Sequence, residues 1–315
     1  MKTPKHWQTK NLTALALFLP SCLYAFATWL RIKINKPKKV NIPVFCIGNL
    51  TAGGSGKTPV SISIAKILKE IGKTPYFVSR GYGGRLSDVK VDSNVHSPYE
   101  VGDEPLLLAR EAPVIVNHKR YEGAKRAEKD GADIIIMDDG FQNPALFKDR
   151  SFLVIDGSVG LGNMFPIPAG PMREFLSEGK KRADAVIILG EDKTKIAEKF
   201  SDLPIFYGEV VAEQPDIINK KVVAFAGIGR PQKFYNSLTK CGFDVVKTFD
   251  FTDHYFYKED DLRKIIAEAG SIGADIYTTS KDFVKIPASF RNKIKVLEVE
   301  VKWNNNKELV NFLKV

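Results

Sequence analysis

The sequence predicts an α/β protein in which helices cover both faces of a parallel sheet. The first observation is that, after Pro43, short and almost wholly apolar runs alternate with helical stretches. Strands of that composition are buried on both faces, as they are in parallel sheets. The second observation is size and composition: 315 residues, 44% hydrophobic and 27% charged. These values fit one large or two modest globular domains and exclude a disordered, collagen-like or fully membrane-embedded chain.

The predicted elements fall into two regions. The strands of the first region are 44–48, 75–79, 114–117, 134–137, 152–156 and 185–189, and its helices are 57–71, 104–111 and 121–130. A polar, lysine-rich stretch at 191–202 and an extended run at 204–212 follow. The strands of the second region are 222–225, 244–248, 274–278 and 295–301, and its helices are 231–241 and 258–269. We therefore predict an N-terminal segment (1–40), a first domain (41–205) and a smaller α/β C-terminal domain (206–315).

The net charge of +10 is concentrated at one end of the chain. Residues 1–40 contain no acid and eight bases, which are Lys2, Lys5, Lys10, Arg31, Lys33, Lys36, Lys38 and Lys39. The remaining residues carry 39 bases against 37 acids, so the body is nearly neutral. A basic segment confined to one end predicts contact with a local anionic surface. Because the neutral body shows no basic groove with interleaved exposed aromatic residues, we expect no nucleic-acid partner.

A phosphate-binding loop follows the first predicted strand. Residues 44–58 form a strand, a glycine-rich turn and the start of a helix, which is the context that a P-loop requires. There the backbone N–H groups approach phosphate oxygens, Lys57 reaches the β and γ phosphates, and the Thr58 hydroxyl coordinates Mg²⁺. The predicted ATP-binding residues are Thr51, Ala52, Gly53, Gly54, Ser55, Gly56, Lys57 and Thr58. Thr51 replaces the usual first glycine, and a glycine-rich turn without a ligand is the alternative.

Two carboxylates follow a buried strand further along the chain. Asp138 and Asp139 come directly after the apolar residues 134–137 and precede a glycine. Ligands of open α/β sheets collect at the carboxyl ends of the strands, so these acids are expected near the metal. A solvated turn is the alternative, but it does not explain two acids after so apolar a run. The fold class is therefore a P-loop NTPase-like sheet with ATP and Mg²⁺ as cofactors.

The N-terminal segment contains an apolar stretch without charges at 11–30. On a helical wheel of about 100° per residue its polar side chains gather in roughly one quadrant, interrupted only by Leu17. These side chains are Lys10, Thr13, Ser21, Tyr24, Thr28 and Arg31. The pattern favours a helix that lies in a membrane interface. A membrane span is the second interpretation, although Pro20 would interrupt it, and a signal peptide ending near 25–27 is the third. A protein that consumes ATP should stay in the cytoplasm, which favours the interfacial helix.

Further motifs occur in a distinctive order after the phosphate loop. They are Ser-Arg-Gly-Tyr at 79–82, Val-Gly-Asp-Glu-Pro at 101–105, Asp-Asp-Gly-Phe-Gln at 138–142, Pro-Ala-Gly-Pro-Met-Arg-Glu at 168–174, Asp-His at 253–254 and Thr-Thr-Ser-Lys-Asp at 278–282. Together with residues 49–59 they resemble the tetraacyldisaccharide 4'-kinase (lipid A 4'-kinase) family over essentially the whole chain. Two positions depart from the family: Asn143 stands where His is usual, and a single His254 follows Asp253 where two are common.

The resemblance implies ATP-dependent phosphorylation of the 4'-hydroxyl of a tetraacylated glucosamine disaccharide 1-phosphate, a lipid A precursor, to give lipid IVA. It implies work at the cytoplasmic face of the bacterial inner membrane, with the N-terminal helix as a peripheral or single-helix anchor and no obligate protein partner. The rival function is a membrane-recruited P-loop ATPase that acts as a switch without a small-molecule acceptor. Such switches often carry Lys where this chain has Ala52.

The resemblance also implies roles for individual residues. Asp103 is the candidate base, and His254 from the second domain would polarise it; by its position alone, Asp103 would be a helix cap. Lys57 and Asp139 complete the expected catalytic set. The expected metal ligands are Thr58, Glu104 and Asp138, although the sequence does not sort the roles of Glu104, Asp138 and Asp139. The expected substrate-binding residues are Arg80, Tyr82, Arg120, Gln142, Asn163, Arg173 and Glu174.

For Arg120 and Asn163 the residue pattern also allows a structural interpretation. An arginine at the start of a helix is usually solvated, and a loop asparagine such as Asn163 often serves only to form a turn. The guanidinium groups are candidates because they bind phosphate with two parallel hydrogen bonds.

Overall fold

A computed structural model describes residues 4–212 and 220–314 of the chain; Lys2, part of the basic segment, lies outside them. Within the described residues there are thirteen strands in two sheets. They are β1 (Val44–Gly48), β2 (Pro75–Ser79), β3 (Val89–Lys90), β4 (Val114–Val116), β5 (Ile134–Asp138), β6 (Arg150–Asp156), β7 (Ala185–Leu189), β8 (Ile205–Ala212), β9 (Lys221–Ala226), β10 (Asp244–Asp250), β11 (Asp275–Thr279), β12 (Lys295–Leu297) and β13 (Val299–Trp303).

The helices connect and cover these strands. They are α1 (Leu12–Ala16), α2 (Phe18–Ile34), α3 (Lys57–Glu70), α4 (Pro98–Val101), α5 (Asp103–Leu108), α6 (Arg120–Lys129), α7 (Leu176–Lys180), α8 (Pro231–Lys240), α9 (Glu259–Ile272), α10 (Ser280–Phe283), α11 (Ala288–Arg291) and α12 (Asn306–Leu313). Short 3₁₀ turns lie at Lys5–Trp7 and Ile196–Phe200. Most predicted elements are found within two residues of their predicted ends, which confirms the α/β class.

The larger sheet has nine strands in the order β13-β8-β7-β6-β1-β5-β2-β4-β3. The strands from β8 to β4 are parallel to their neighbours, and the edge strands β3 and β13 are antiparallel. Phe45 and Ile47 of β1 face one hydrophobic core with α3, whereas Val44 and Cys46 face the other core with α6. Burial on both faces explains why the strand is a continuous apolar run.

The order of the strands sets the position of the functional loops. The chain leaves β1 through α3 to β2, which lies on one side of β1 beyond β5, whereas β6 lies on the other side. β1 therefore stands at a topological switch point, where open α/β sheets bind their ligands beyond the carboxyl ends of the strands. The loop after β1 and the acids after β5 meet at that edge because β1 and β5 are parallel neighbours.

The smaller sheet is parallel, with the order β10-β9-β11-β12. Helix α8 packs on one of its faces and α9 on the other. Its core is separate from those of the larger sheet, so it forms the core of a second domain.

The predicted boundary near residue 205 is wrong in its details. β8 (Ile205–Ala212) pairs with β7 and belongs to the larger sheet. The predicted strand 295–301 is two strands in different sheets, because the chain crosses back at Glu298 and β13 pairs with β8. Helix α12 then packs into the core of the first domain through Leu309 and Leu313. The second domain is thus inserted between β8 and β13, and the alternating pattern of residues 295–301 does not reveal which sheet each half joins.

The N-terminal segment forms a helix that breaks at Leu17, between α1 and α2. Pro20 does not interrupt α2; it lies in the first turn, where a backbone N–H has no helical partner to lose. Part of the polar stripe faces the protein: Ser21 and Thr28 are buried, and Ser21 Oγ accepts a hydrogen bond from the Ala169 N–H at 2.8 Å. The other members of the stripe are exposed, namely Lys10, Thr13, Tyr24 and Arg31. The opposite face exposes Leu12, Leu15, Phe18, Leu19, Leu23, Phe26, Leu30 and Ile34. No helix in the described part of the chain is both long and apolar enough to span a bilayer.

Candidate active site

The loop between β1 and α3 has the backbone of a phosphate cradle. Gly53 and Gly56 have φ of +113° and +87°, and a Cβ on Gly56 would lie 2.4 Å from Leu189 Cδ1. The Asn49 amide donates a hydrogen bond to the buried Ser55 hydroxyl at 3.1 Å, which fixes the two ends of the loop together. Lys57 opens α3, so the helix N-terminus and the ammonium point to the same space. An anion is favoured there by both groups.

Thr51 occupies the position where a glycine is usual, and the structure shows why a β-branched residue fits. Thr51 does not have a positive φ, so its backbone does not require glycine. It forms a β-bridge with Met172, and the N–H of Ala52 donates to the Pro171 carbonyl at 2.8 Å. The start of the phosphate loop is therefore tied to the 168–174 segment.

Asp138 lies at the end of β5, opposite the start of α3. Its carboxylate accepts hydrogen bonds from the Thr58 hydroxyl at 3.4 Å and the Ser61 hydroxyl at 2.8 Å. Burial and then the charge of Glu104 raise the pKa of Asp138 to about 7. A buried carboxylate that lacks a full cationic partner is suited to a bound cation.

The donor set around Asp138 fits Mg²⁺. The Thr58 hydroxyl and the Asp138 carboxylate are hard oxygen ligands, and Mg²⁺ on a nucleotide takes few protein ligands because phosphate oxygens and waters fill the rest. The described residues accordingly contain no cluster of three or more His, Cys, Asp or Glu side chains that could hold a metal alone.

Asp139 has a different environment from its neighbour. Both of its carboxylate oxygens accept hydrogen bonds from Arg173, at 2.8 and 3.3 Å, and Lys57 Nζ lies 3.7 Å away. Burial acts to raise the pKa of Asp139, but Lys57 and Arg173 outweigh it and hold the pKa below its usual value. Asp139 is therefore a charged group that positions two cations, and Asp138 is the carboxylate that faces Thr58.

Arg120 is buried, contrary to the solvated position expected of an arginine at the start of a helix. It is only 7% exposed, and its guanidinium donates to the Asp139 carbonyl at 3.2 Å. Burial lowers the pKa of Arg120, an effect that the nearby Asp139 opposes. This hydrogen bond joins the start of α6 to the residue after β5, and the Arg120 cation lines the cleft next to the phosphate loop.

Gln142, Arg173 and Glu174 form a linked group beside the loop. The Gln142 amide donates to the Asn49 carbonyl and to Glu174 Oε1, both at 2.9 Å, while Arg173 donates to Gln142 Oε1 at 3.4 Å. Glu174 is buried and paired with Arg182, and it does not line the cleft. In this structure Glu174 therefore supports Gln142, and its contact with substrate stays a prediction.

Asn163 is not among the residues that line the cleft, and its role in substrate binding stays a prediction. Its amide donates to the carbonyls of His6 and Ala169, at 2.8 and 2.9 Å, and its Oδ1 accepts from the Phe165 N–H at 3.0 Å. These bonds attach the N-terminal segment to the first domain. Asn143 also forms a local turn, since its Oδ1 accepts from the Ala145 N–H at 3.0 Å.

Asp103 and His254 meet across the two domains. His254 Nδ1 lies 2.9 Å from Asp103 Oδ2, and Asp103 Oδ1 accepts from the Glu104 N–H at 3.0 Å. Asp103 is 5% exposed at the start of α5, while His254 has a φ of +58° in the loop after β10. The hydrogen bond to Asp103 raises the pKa of His254 against the effects of burial and Lys281. Burial acts to raise the pKa of Asp103, but His254 and Lys281 outweigh it and lower the pKa.

Lys281 is a cation of the site that the sequence-based reasoning did not select. Its Nζ lies 3.3 Å from Glu104 Oε1, 3.4 Å from His254 Nε2 and 3.8 Å from Asp253 Oδ1. The available signal was its place in the Thr-Thr-Ser-Lys-Asp motif at the end of β11. The motif puts Lys281 in the first turn of α10, which faces the first domain.

A cleft of about 1290 Å³ lies between the two domains. His254 lines this cleft, whereas its partner Asp103 does not. Arg80 and the 70% exposed Tyr82 line it on the first domain, and the Tyr82 ring lies 5.6 Å from the imidazole of His254. The second domain contributes Asp253, His254 and Lys281. The cleft is large enough for two substrates, with the phosphate loop at one side and the Asp103–His254 pair near it.

A phosphate loop at the switch point of a parallel sheet, closed by a second domain that brings a histidine to a buried carboxylate, defines a P-loop phosphotransferase. The family model described as tetraacyldisaccharide-1-P 4'-kinase matches residues 13–315. The chain therefore belongs to the tetraacyldisaccharide 4'-kinase family, which confirms the resemblance of its motifs.

Individual relatives agree with this assignment. A tetraacyldisaccharide 4'-kinase of Rhodospirillum rubrum is 43% identical over 96% of this chain and 93% of its own length. The enzyme of the same name from Paramagnetospirillum magneticum is 41% identical over 96% of this chain and 95% of its own length. The crystal structure of LpxK from Aquifex aeolicus, determined in complex with ATP, matches with a TM-score of 0.78 at 28% identity and covers 96% of this chain and 98% of its own.

Proposed function

We propose that the protein transfers the γ-phosphoryl group of ATP to the 4'-hydroxyl of a tetraacylated glucosamine disaccharide 1-phosphate, a lipid A precursor, to give lipid IVA. The observation that carries the proposal is the contact of Asp103 with His254 at 2.9 Å, because His254 lines the same cleft as Lys57 and Asp138. This arrangement supports the proposal, since a kinase with an alcohol acceptor needs a proton acceptor close to a phosphate-binding loop.

ATP would bind through the loop at 51–58. The N–H groups of the glycine turn and the Lys57 ammonium contact the phosphates. Thr58 and Asp138 would hold Mg²⁺, with Glu104 nearby, and the ion supplies neutralisation of phosphate charge. Arg120 and Arg173, which Asp139 keeps in place, add positive charge at the edge of the loop.

The chemical step is a displacement at the γ-phosphorus. The 4'-oxygen forms a bond to phosphorus, the bond from phosphorus to the β-γ bridging oxygen breaks, and ADP leaves. Asp103 accepts the proton of the hydroxyl, while the Nδ1–H of His254 donates to the same carboxylate and fixes its direction. Because His254 comes from the second domain, the pair forms only when the cleft is closed, which also keeps water from the γ-phosphate.

The lipid part of the substrate fits the N-terminal helix. Its polar stripe packs on the first domain through Ser21 and Thr28, so its apolar face is free to enter the interface of the cytoplasmic leaflet. Arg31 at the other end of the helix lines the cleft, and its guanidinium donates to the Gln142 carbonyl at 3.4 Å. A sugar headgroup in the cleft and acyl chains in the membrane would thus lie on one path, with Arg80, Tyr82 and Arg173 near the sugar and its phosphate.

The test is transfer of label from γ-labelled ATP to the acylated disaccharide 1-phosphate in detergent, with Mg²⁺ present. We expect label on the lipid, and none when the acceptor already carries a 4'-phosphate. ATP hydrolysis that is equally fast without the acceptor, with no labelled lipid, would instead favour the switch-type ATPase.

A further inference from the structure

Lys281 joins the two halves of the candidate site. Glu104 on the first domain and Asp253 on the second lie on either side of its ammonium, at 3.3 and 3.8 Å. Its side chain is about a quarter exposed and faces carboxylates of both domains. Lys281 therefore remains an ammonium group, which can only donate hydrogen bonds.

The ammonium of Lys281 faces Nε2 of the His254 imidazole, which is the ring nitrogen that does not contact Asp103. His254 Nδ1 is directed to Asp103 at 2.9 Å, and His254 Nε2 lies 3.4 Å from Lys281 Nζ. A carboxylate accepts, so Nδ1 must carry a proton; an ammonium donates, so Nε2 must offer its lone pair. Only the neutral imidazole with its proton on Nδ1 satisfies both neighbours. Protonation of Nε2 in addition to Nδ1 would make the ring an imidazolium and place two positive groups 3.4 Å apart.

We propose that Lys281 is a positioning residue that opposes protonation of His254 at Nε2 and so favours the neutral form with its proton on Nδ1. The proposal rests on the proposed function, in which Asp103 is the base. A neutral His254 directs the Asp103 carboxylate by a hydrogen bond and leaves it basic, whereas an imidazolium would bind it as an ion pair and weaken it as a proton acceptor.

The other groups that face His254 act in the opposite direction. Asp103 from α5 and Asp253 from the same loop, whose Oδ1 is 4.0 Å from Nε2, favour the imidazolium, and the Tyr82 ring from the loop after β2 is neutral. Among the charged groups in contact with the imidazole in the described residues, Lys281 is the one cation. Its removal leaves two carboxylates and no opposing charge.

The first experiment observes the imidazole directly and needs no substrate. Protein labelled with ¹⁵N-histidine is studied by long-range ¹H–¹⁵N NMR without lipid or nucleotide, and the His254 signal is assigned by its loss in His254→Gln. At pH values above the midpoint of protonation, we expect the neutral imidazole of the wild type to carry its proton on Nδ1. In Lys281→Met the midpoint of protonation should rise by about one to three pH units, the range for a like charge at this distance. Lys281→Arg should keep the wild-type midpoint, and Lys264→Met, on the exposed face of α9, is the charge control.

The second experiment is the pH profile of kcat. In Lys281→Met the acid limb should move to higher pH by the same amount, so that much of the activity lost at pH 7 returns at pH 8 to 9. If Lys281 served only folding, its replacement would lower kcat at every pH and would not move the acid limb of the pH profile. Lys281→Gln, which keeps a neutral donor, should show the same upward shift if Met cannot be purified as a folded protein.

Two results would overturn the inference: a neutral wild-type imidazole protonated on Nε2, or an unchanged midpoint in folded Lys281→Met and Lys281→Gln. Failure of the proposed function is distinguishable, because it appears as absence of lipid labelling by the wild type. The NMR measurement decides the role of Lys281 in either case.

Discussion

Asp156, the last residue of β6, accepts a hydrogen bond from the Arg230 guanidinium at 2.7 Å, although the two residues belong to different domains. Lys233 in α8 contacts the same carboxylate oxygen, and the Ser158 hydroxyl donates to the other oxygen at 2.6 Å. Asp156 is 5% exposed, so a buried carboxylate of the first domain holds two cations of the second. This contact supports closure of the cleft away from the Asp103–His254 pair.

The first prediction concerns this contact. Asp156→Asn should lower the free energy of unfolding by only about 1 kcal/mol, because Arg230 and Lys233 are partly exposed and can be solvated. It should also reduce kcat/KM, since the second domain closes less often. Denaturant titration and steady-state kinetics measure the two effects, and Glu259→Gln, which breaks an exposed pair within α9, is the control.

The contribution of Asp156 should depend on pH with a defined sign. Burial acts to raise its pKa, but Lys233, Ser158 and Arg230 outweigh burial and place the pKa below 3.8 in the folded state. The stabilisation is therefore present above the unfolded pKa and is lost as the pH falls through the folded pKa. The difference between wild type and Asp156→Asn should be constant above about pH 5 and shrink below about pH 4. A difference that instead grows in acid would contradict the ion-pair assignment.

The second prediction concerns Lys57. Lys57→Ala removes the ammonium that stabilises charge on the transferred phosphoryl group, so kcat should fall on the order of 100- to 1,000-fold. The fold should remain, because Lys57 is not part of a core. Kinase assays and circular dichroism measure both, with Lys73→Ala, after the same helix, as the control. Near-normal activity in a folded Lys57→Ala protein would contradict the assignment of residues 51–58 as a phosphate-binding loop.

The third prediction tests whether Asp103 and His254 act as one unit. Asp103→Ala and His254→Ala should each lower kcat on the order of 100-fold, with ATP affinity much less affected. The double variant should be little worse than the more damaging single variant, because residues that work together are not additive. His118→Ala, an exposed histidine, is the control. Strictly additive losses in log kcat would show that the two residues act independently.

The fourth prediction concerns stability at Asp138. Its raised pKa, about 7, means that the folded state binds more protons than the unfolded state between about pH 4 and 7. Without Mg²⁺ and nucleotide, the wild type should therefore lose stability as the pH rises through this range. Asp138→Asn carries no charge, so it should be more stable than the wild type at pH 8, by a few kcal/mol at most, and yet be inactive. Equal pH dependence of the two proteins in denaturant titrations would contradict the raised pKa.

The fifth prediction tests the apolar face of α2. Leu19 and Leu23 are 72% and 67% exposed, so Gln at both positions should leave the fold unchanged. Binding to anionic vesicles should fall at least about tenfold, because a buried leucine contributes about 1.5 kcal/mol or more. Vesicle flotation measures the binding, and Ile272→Gln, an exposed apolar residue on α9, is the control. Unchanged flotation of the double variant would argue against this face as the membrane contact.

The sequence was sufficient for the parallel sheet and the phosphate loop because both depend on local patterns. Buried strands such as β1 are continuous apolar runs, and the glycine-rich turn before Lys57 has a defined backbone requirement. The pairing of Asp103 with His254 was expected from the family resemblance, and the structure brings the two side chains together. Spacing alone does not connect residues so far apart in the chain.

Three features could not be read from the pattern because they depend on tertiary contacts. Arg120 has the local signature of a solvated residue, and its burial follows from the loop after β5 that packs on it. Asn163 looks like a candidate for ligand contact, but its hydrogen-bond partners are backbone groups of the N-terminal segment. The crossing at Glu298 leaves no mark on the alternation of residues 295–301, since both halves are strands.

The insertion of the second domain constrains how His254 can move. The chain leaves the larger sheet after Ala212 and re-enters it at Val299, and these two residues are paired neighbours in β8 and β13. The inserted domain is therefore joined to the larger sheet at adjacent positions of one sheet edge. His254 lies on the inserted domain and Asp103 on the first domain, so a displacement of the inserted domain about this edge would change the distance between the two side chains.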